Sequence, residues 1–340
     1  MARYACDYLL VAVDPVNFEK VYTEKLEAVS TVLKSTPPGA QGQKRLTSGY
    51  PSITATIVNL PEPGITYANR FSYRGEDFIS ETDEIHRALL HTRRLFPDRR
   101  LCFLGDAGLD DQKIFRWASE LEADFIIRVA HRERLVEIYN DRLDRWETES
   151  LGDLADTVLY GDRWEVPFTH AHRVRHDEVD VGWFALRLPD EPERPLWALV
   201  ADDVSRKRQL ILLTNRPILD AHCARTAYDA WRHRPHIEHT YRFAQERGLE
   251  VEDMQVHTLE RMRRLFALLL IAALFVYYIA NVWPEPAAKW LLDLGGKLHL
   301  KLDANGPYLL LAGIAAVFIT VATLSFAARF PFPRECLTYG

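Results

Sequence analysis

The sequence has little cysteine, and none of it is spaced for pairing. Cys6, Cys102, Cys223 and Cys336 lie far apart, which argues against a zinc site and a framework of bridges. That usage fits a reducing compartment. No secretory leader is visible in the first residues. The early apolar run Tyr8–Val13 is too short to be one and is flanked by Asp7 and Asp14. Nor is there an overall excess of positive charge. Lys and Arg number 42 against 48 Asp and Glu, a formal net charge of −6, which does not advertise a nucleic-acid binder.

What is present is the profile of a folded chain. Its 340 residues are 48% hydrophobic and 26% charged, enough for one large domain or two ordinary ones. Charge is unevenly distributed. Ser205–Arg264 holds 12 Arg and Lys against 8 Asp and Glu, a basic stretch in an otherwise acidic chain. Inside it lies WRHRPHIEHTYRFAQ, Trp231–Gln245, with one carboxylate, Glu238, among Arg232, Arg234, Arg242, His236 and His239. Such an acid either neutralises its neighbours or holds a metal ion while they hold an anionic substrate. Pro235 disfavours helical geometry at Arg234 and suits a first helical position. The dependable helix face therefore starts at Glu238, with Arg242 and Gln245 within about 60° of it.

In chain order, YLLVAVD (8–14) reads as a buried strand ending in an acid. A short helical stretch near Phe18–Leu33 and a Gly/Pro/Gln-rich loop follow. Ser52–Leu60 and Ile65–Tyr73, separated by PEPG, form a hairpin signal. Glu81–Leu95 reads as a helix with Pro97 beyond its end. RLCFLGD (100–106) is a second buried strand ending in an acid. Asp110 is expected to cap the helix Asp111–Ala123, and Asp124–Ala130 is a third strand. This is an α/β pattern with a mixed sheet.

From about Arg132 to Asn215, short alternating segments at Leu135–Tyr139, Val158–Tyr160, Val179–Leu188, Leu196–Val200 and Gln209–Thr214 read as an antiparallel β insertion. Helical sequence returns from about Pro217 to Val282. Leu265–Val282 and Pro307–Ala328 carry no charge over 18 and 22 residues, long enough to cross a bilayer. Small and polar interruptions at Asn281, Gly313, Thr320 and Ser325 favour buried core helices. The stretch between them, WLLDLGGKLHLKLDANGP, reads as a turn and a short amphipathic strand.

Asp14 and Asp106 thus stand at strand ends, where α/β sheets build their sites, and Glu238 on a later helix. Three remote carboxylates can meet only through the fold. If they meet, they are hard oxygen ligands suited to Mg²⁺, and a pair of such ions supports phosphoryl transfer, with Arg and His side chains on the phosphates. Taken singly, each Asp is also ordinary turn chemistry and Glu238 an ordinary ion-pair partner. His222, His233, His236, His239 and His257, interleaved with arginines, read as solvated or phosphate-facing rather than as metal ligands.

LGDAGLDDQKIFRWASELEADFIIRV resembles the second-aspartate region of DDE transposases of the IS4-like insertion-sequence group. The run from RHRPHIEHTYRFAQ through LEVEDMQV into the apolar helix resembles that group's third-carboxylate region. Its Tyr–Arg–Glu–Lys pattern appears here as Trp231, Arg234, Glu238 and Gln245. The resemblance spans about residues 8–328 and is weakest around Asp14. It implies a ribonuclease-H-like mixed sheet flanked by helices, with an antiparallel β insertion and apolar C-terminal helices packed on the core. The core would comprise 1–131 and 216–340, with the insertion at 132–215.

By the same resemblance, Asp14, Asp106 and Glu238 would bind two Mg²⁺ ions, with Mn²⁺ as a substitute. Arg128, Trp231, Arg234, Arg242 and Gln245 would face DNA. The expected partners are double-stranded DNA, at transposon ends and target, and a second copy of the chain. The protein would be cytoplasmic and nucleoid-associated, with no membrane partner. The departures are Trp231 for Tyr, Gln245 for Lys, the acidic balance, and the 13 residues before Asp14 where the family carries a DNA-binding domain. They leave two alternatives: a weakened or truncated DNA-binding remnant, and a membrane-anchored protein with two C-terminal spans, whose outer ends Arg261, Arg263, Arg264 and Arg329 would mark as the positive side.

Overall fold

The two apolar runs that end at acids lie side by side in the sheet. A computed structural model of the chain describes residues 8–20, 26–34, 46–60, 64–170, 173–203, 208–238, 256–298 and 306–329. Strands β1 (Tyr8–Glu19) and β5 (Arg100–Gly105) pair in parallel, and β6 (Asp124–Arg128) continues the parallel run. On its other edge β1 pairs antiparallel with β3 (Leu46–Ile57). β3 in turn carries β2 (Ser30–Leu33) and β4 (Gly64–Arg70). The result is a mixed α/β arrangement, as the alternation of apolar runs and helical periods predicts.

Helix α1 (Glu81–Leu95) has the bounds read from the sequence. Ser80 caps it by accepting from the Asp83 N–H, and three acids fill its first turn, complementing the helix dipole. Helix α2 (Gln112–Glu120) is capped by Asp111, which accepts from the Lys113 N–H. Side chains alternate across a strand, so Val11 and Val13 join Ile53, Phe103 and Phe125 in one core with Ile85, Leu89, Ile114 and Phe115 of the helices. Leu10, Ala12 and Asp14 point to the opposite face.

The β-rich region is hydrogen-bonded into the same sheet. β6 pairs antiparallel with β12 (Arg208–Thr214), which is followed outward by β11 (Glu191–Asp203), β10 (Arg173–Leu188), β7 (Leu135–Asn140) and β8 (Arg145–Ser150). β9 (Asp162–His170) pairs with the first half of β10. The sheet therefore has 12 strands.

Several expectations are corrected. The helical stretch near Phe18–Leu33 is strand at both described ends, β1 and β2, with 21–25 outside the described residues. β1 runs past Asp14 and Pro15 because pairing with β5 stops at Ala12, and a strand with one free edge tolerates proline. Residues 158–161 are not a strand. The preceding segment is instead a short helix, α3 (Leu151–Thr157), capped by Ser150.

Asp110 does not cap α2. Its carboxylate is buried, accepts from the Ala130 and His131 N–H groups at 2.7 and 2.9 Å, and pairs with the guanidinium of Arg134.

The chain divides into two compact units, Met1–Glu238 with His257–Leu259, and His239–Val256 with Glu260–Gly340. After α4 (Ala221–Trp231), the second unit holds most of α5 (Leu259–Val282), all of α6 (Glu285–Leu298) and α7 (Gly306–Arg329). The described residues of the segment read as turn and strand, 290–298 and 306–307, are helical, and 299–305, where most of the expected strand falls, lie outside the described residues. Gly295 marks a close helix contact with Gly313 of α7 rather than a turn, while Gly296 faces open space. A Cβ on Gly295 would lie 1.9 Å from the Leu309 carbonyl oxygen, and one on Gly313 would lie 2.0 Å from that of Leu291. Among the described residues, two helices are long and apolar enough to cross a membrane, Leu259–Val282 and Tyr308–Phe326. Only 28% and 11% of their apolar windows are buried, so most of α7 does not meet the expectation of a buried core helix.

Removing the buried acceptor by Asp110→Ala leaves Arg134 uncompensated. The expected loss is about 3–5 kcal/mol of stability, read as a lower denaturant midpoint in equilibrium unfolding. An unchanged midpoint would show that the pair contributes nothing.

Candidate functional site

Parallel pairing sets the first two acids side by side. Tyr8 stands opposite Arg100 and Ala12 opposite Leu104; two residues further along the same register come Asp14 and Asp106. Across the antiparallel edge Asp14 pairs with Thr54. The chain leaves β5 at Asp106 through a 3₁₀ turn, Ala107–Leu109, which Asp106 caps by accepting from the Gly108 N–H at 2.8 Å. One carboxylate oxygen of Asp106 is thus fixed by its own turn, while the other points elsewhere. The expected turn role is thus met, and it leaves the second oxygen for a partner from another segment.

The third segment arrives from α4. The Trp231 indole N–H donates to the Gly105 carbonyl at 3.1 Å, tying the last residue of α4 to the last residue of β5. Residues 232–235 form turns, with Arg234 N–H bonded to the Trp231 carbonyl and Glu238 N–H to the Pro235 carbonyl. Helix resumes at 236, so Pro235 breaks the helix as its chemistry requires. This short detour delivers Arg234 to the aspartates.

The Arg234 guanidinium is the centre of the site. Nη2 donates to Asp14 Oδ1 at 2.6 Å and to Asp106 Oδ2 at 3.1 Å, and Nη1 donates to Glu238 Oε1. The three predicted carboxylates therefore meet, and they meet around a cation supplied by the chain itself. Side-chain exposure rises from 9% at Asp14 through 37% at Asp106 to 52% at Glu238. The site opens towards solvent on the Glu238 side.

Burial dominates the electrostatics at the closed end. It pushes the Asp14 carboxyl up to about 7, and the negative charges of Asp106 and Glu238 add to the rise. Arg234 opposes the shift without cancelling it. For Arg234 burial works against the charge, yet the attraction of Asp14, Asp106 and Glu238 outweighs it and holds the guanidinium above its ordinary value. His233, nearby in sequence, is lowered by burial and by His236.

Chemically, three carboxylates are hard oxygen donors of the kind Mg²⁺ takes. Thr54, opposite Asp14, adds a buried hydroxyl with no hydrogen-bond partner. Among the described residues, no group of three or more His, Cys, Asp or Glu stands placed to hold a metal ion. The donors suit such an ion in kind, but the guanidinium lies among them.

The remaining predicted residues fall as follows. Arg128 is exposed at the end of β6, opposite Leu212 of β12. Trp231 is half-buried and bonded to Gly105. Arg242 and Gln245 lie outside the described residues. The reading of Glu238 as an ion-pair partner of its basic neighbours is met by its pair with Arg234, at i,i+4; the pairs of Arg234 with Asp14 and Asp106 were not read from the sequence. Thr54 carried no signal at all, being one threonine in a β-rich run.

No protein-family model matches this chain, and no curated protein matches it in sequence.

The raised Asp14 carboxyl makes stability depend on pH. Its folded value, about 7, lies above the ordinary carboxylate value, so the folded state binds the extra proton. The stabilisation is complete at acid pH and is lost as pH rises towards 7, by roughly 4 kcal/mol across a shift of that size. Asp14→Asn should flatten this slope and leave the variant more stable than the parent at pH 8 in chelator. Thermal unfolding between pH 4 and 8 measures it, and parallel profiles would exclude a raised Asp14.

Proposed function

We propose that this protein is a Mg²⁺-dependent DNA transposase of the DDE type with a ribonuclease-H-like core. The observation that carries the reading is the meeting of Asp14, Asp106 and Glu238, from three distant segments, around one cation. The strand order supports it. β4, β3, β1, β5 and β6 are neighbours in that sequence, the first three antiparallel and the last three parallel. The resemblance of the segments around Asp106 and Glu238 to IS4-like transposases points the same way.

Asp14, Asp106 and Glu238 would hold two Mg²⁺ ions, with Mn²⁺ as a substitute. When bound, such ions activate a water or 3′-hydroxyl and stabilise the leaving oxygen of a phosphodiester. The chain's own contribution is positional. Asp14 is fixed in the sheet, Asp106 is held by its turn, and Glu238 sits at the open rim where a duplex would enter. Arg128, Arg234 and Arg242 would contact phosphates, with Trp231 and Gln245 beside them. The substrate would be double-stranded DNA at transposon ends and target, acted on by a homodimer in the cytoplasm with the nucleoid.

Nicking of supercoiled plasmid in Mg²⁺ or Mn²⁺ tests this reading. Glu238→Ala and Asp106→Asn should each lower the rate about a hundredfold or more, because each removes a ligand of the ions on which the reaction depends. DNA binding without cleavage by the parent chain would favour the non-catalytic remnant.

A second reading rests on a separate observation, the exposure of Phe318, Ile319, Leu324 and Phe326 on α7. It anchors the chain in a bilayer through α5 and α7, with Arg261, Arg263 and Arg264 near the start of α5 on the positive side. It requires that the chain stay with membranes through an alkaline carbonate wash and leave them only in detergent. Release by the wash removes this reading.

A further inference from the structure

The positive charge at the centre of the site is built into the chain. A solvated arginine at a nuclease site would face outward and wait for a phosphate. Arg234 instead reaches inward, its side chain only 11% exposed, and spends both terminal nitrogens on the three acids. Asp14 and Asp106 share one of those nitrogens, so the two carboxylates converge on a single point of positive charge.

We propose that Arg234 is a resident placeholder cation: it assembles Asp14, Asp106 and Glu238 in the metal-free protein and must leave them before a divalent ion is bound. This rests on the metal-binding reading above and adds an order of events to it. A guanidinium and a divalent ion cannot occupy the same cluster of oxygens, so they compete. The competitor needs somewhere to go. A phosphate accepts a guanidinium through two parallel hydrogen bonds, and Arg234 adjoins the rim where Glu238 opens to solvent. Bound DNA would draw Arg234 away from the acids and free their oxygens. Arg234 is thus a positioning residue, and it ties loading of the ion to the presence of substrate.

The test measures metal binding directly, in the full chain without DNA. Mn²⁺ is titrated and its bound fraction read by electron paramagnetic resonance, with Mg²⁺ by calorimetry alongside. Arg234→Gln should bind Mn²⁺ about tenfold or more tightly than the parent, because it removes the competing charge and leaves three acids uncompensated. Its melting temperature should fall in chelator and recover in Mg²⁺, while the parent responds weakly to both. If the Gln variant does not fold in chelator, Arg234→Lys decides the matter. It keeps a charge, cannot reach all three acids as a planar fork does, and should bind Mn²⁺ with intermediate affinity.

Equal or weaker binding by the variants, with parent binding abolished by Asp106→Asn, would overturn the placeholder and leave the metal site standing. Absence of binding by both parent and variants at millimolar Mn²⁺ would overturn both readings together.

Discussion

Three negative charges brought together in a partly buried place repel one another, and this chain answers with one guanidinium. Arg234 is bonded to Asp14 and Asp106 through one nitrogen and to Glu238 through the other. Much of the described architecture serves to bring these four residues together. The parallel register of β1 and β5 sets the two aspartates abreast. The bond from Trp231 to Gly105 fixes where α4 ends. The turn at Pro235 then carries Arg234 inward and starts a new helical segment that includes Glu238. A planar fork of donors suits this duty in a way that a lysine ammonium does not.

The opposition between burial and pairing at Asp14 gives the site its character. An acid beside an arginine ordinarily ionises more easily, yet here desolvation wins and raises the carboxyl. Burial alone would make the arginine easier to neutralise as well. Three acids around it have the larger effect, and its charge is secured. The raised carboxyl of Asp14 therefore favours a proton at the closed end of the cluster. The Asp110–Arg134 pair shows a quieter use of the same chemistry. Its carboxylate also accepts two backbone N–H groups, so it serves to pin the end of β6.

Local signals made part of this legible beforehand. Pro97 lies just beyond α1, and the bounds read for the helix hold, although its cap Ser80 was not read. The acids closing two apolar runs identified Asp14 and Asp106, although β1 continues five residues beyond Asp14. Glu238 was legible as the lone acid in a basic stretch, and Pro235 as a break. What escaped depends on tertiary context. α3 is too short for its period to register. KLHLKL alternates like a strand, yet its first residues belong to α6, whose Gly295 serves a helix–helix contact. The joining of the β-rich region to β6 is a long-range pairing that no local pattern encodes. The destination of Arg234 was hidden for the same reason, since its partners are 128 and 220 residues away.

That separation has a consequence for how the protein is made. Asp106 leaves the ribosome 128 residues before Arg234, an interval on the order of ten seconds of synthesis. By then β1, β3 and β5 have all emerged, and their apolar faces favour early pairing. The nascent sheet would hold two neighbouring acids with no counter-charge from the chain. The edge of β6 would also stay open until β12 arrives, and open edges invite wrong partners. Completion of the sheet and neutralisation of the acids depend on residues near the end of the first unit. The N-terminal half is then a late-maturing intermediate, held incomplete by the order in which its own residues are translated.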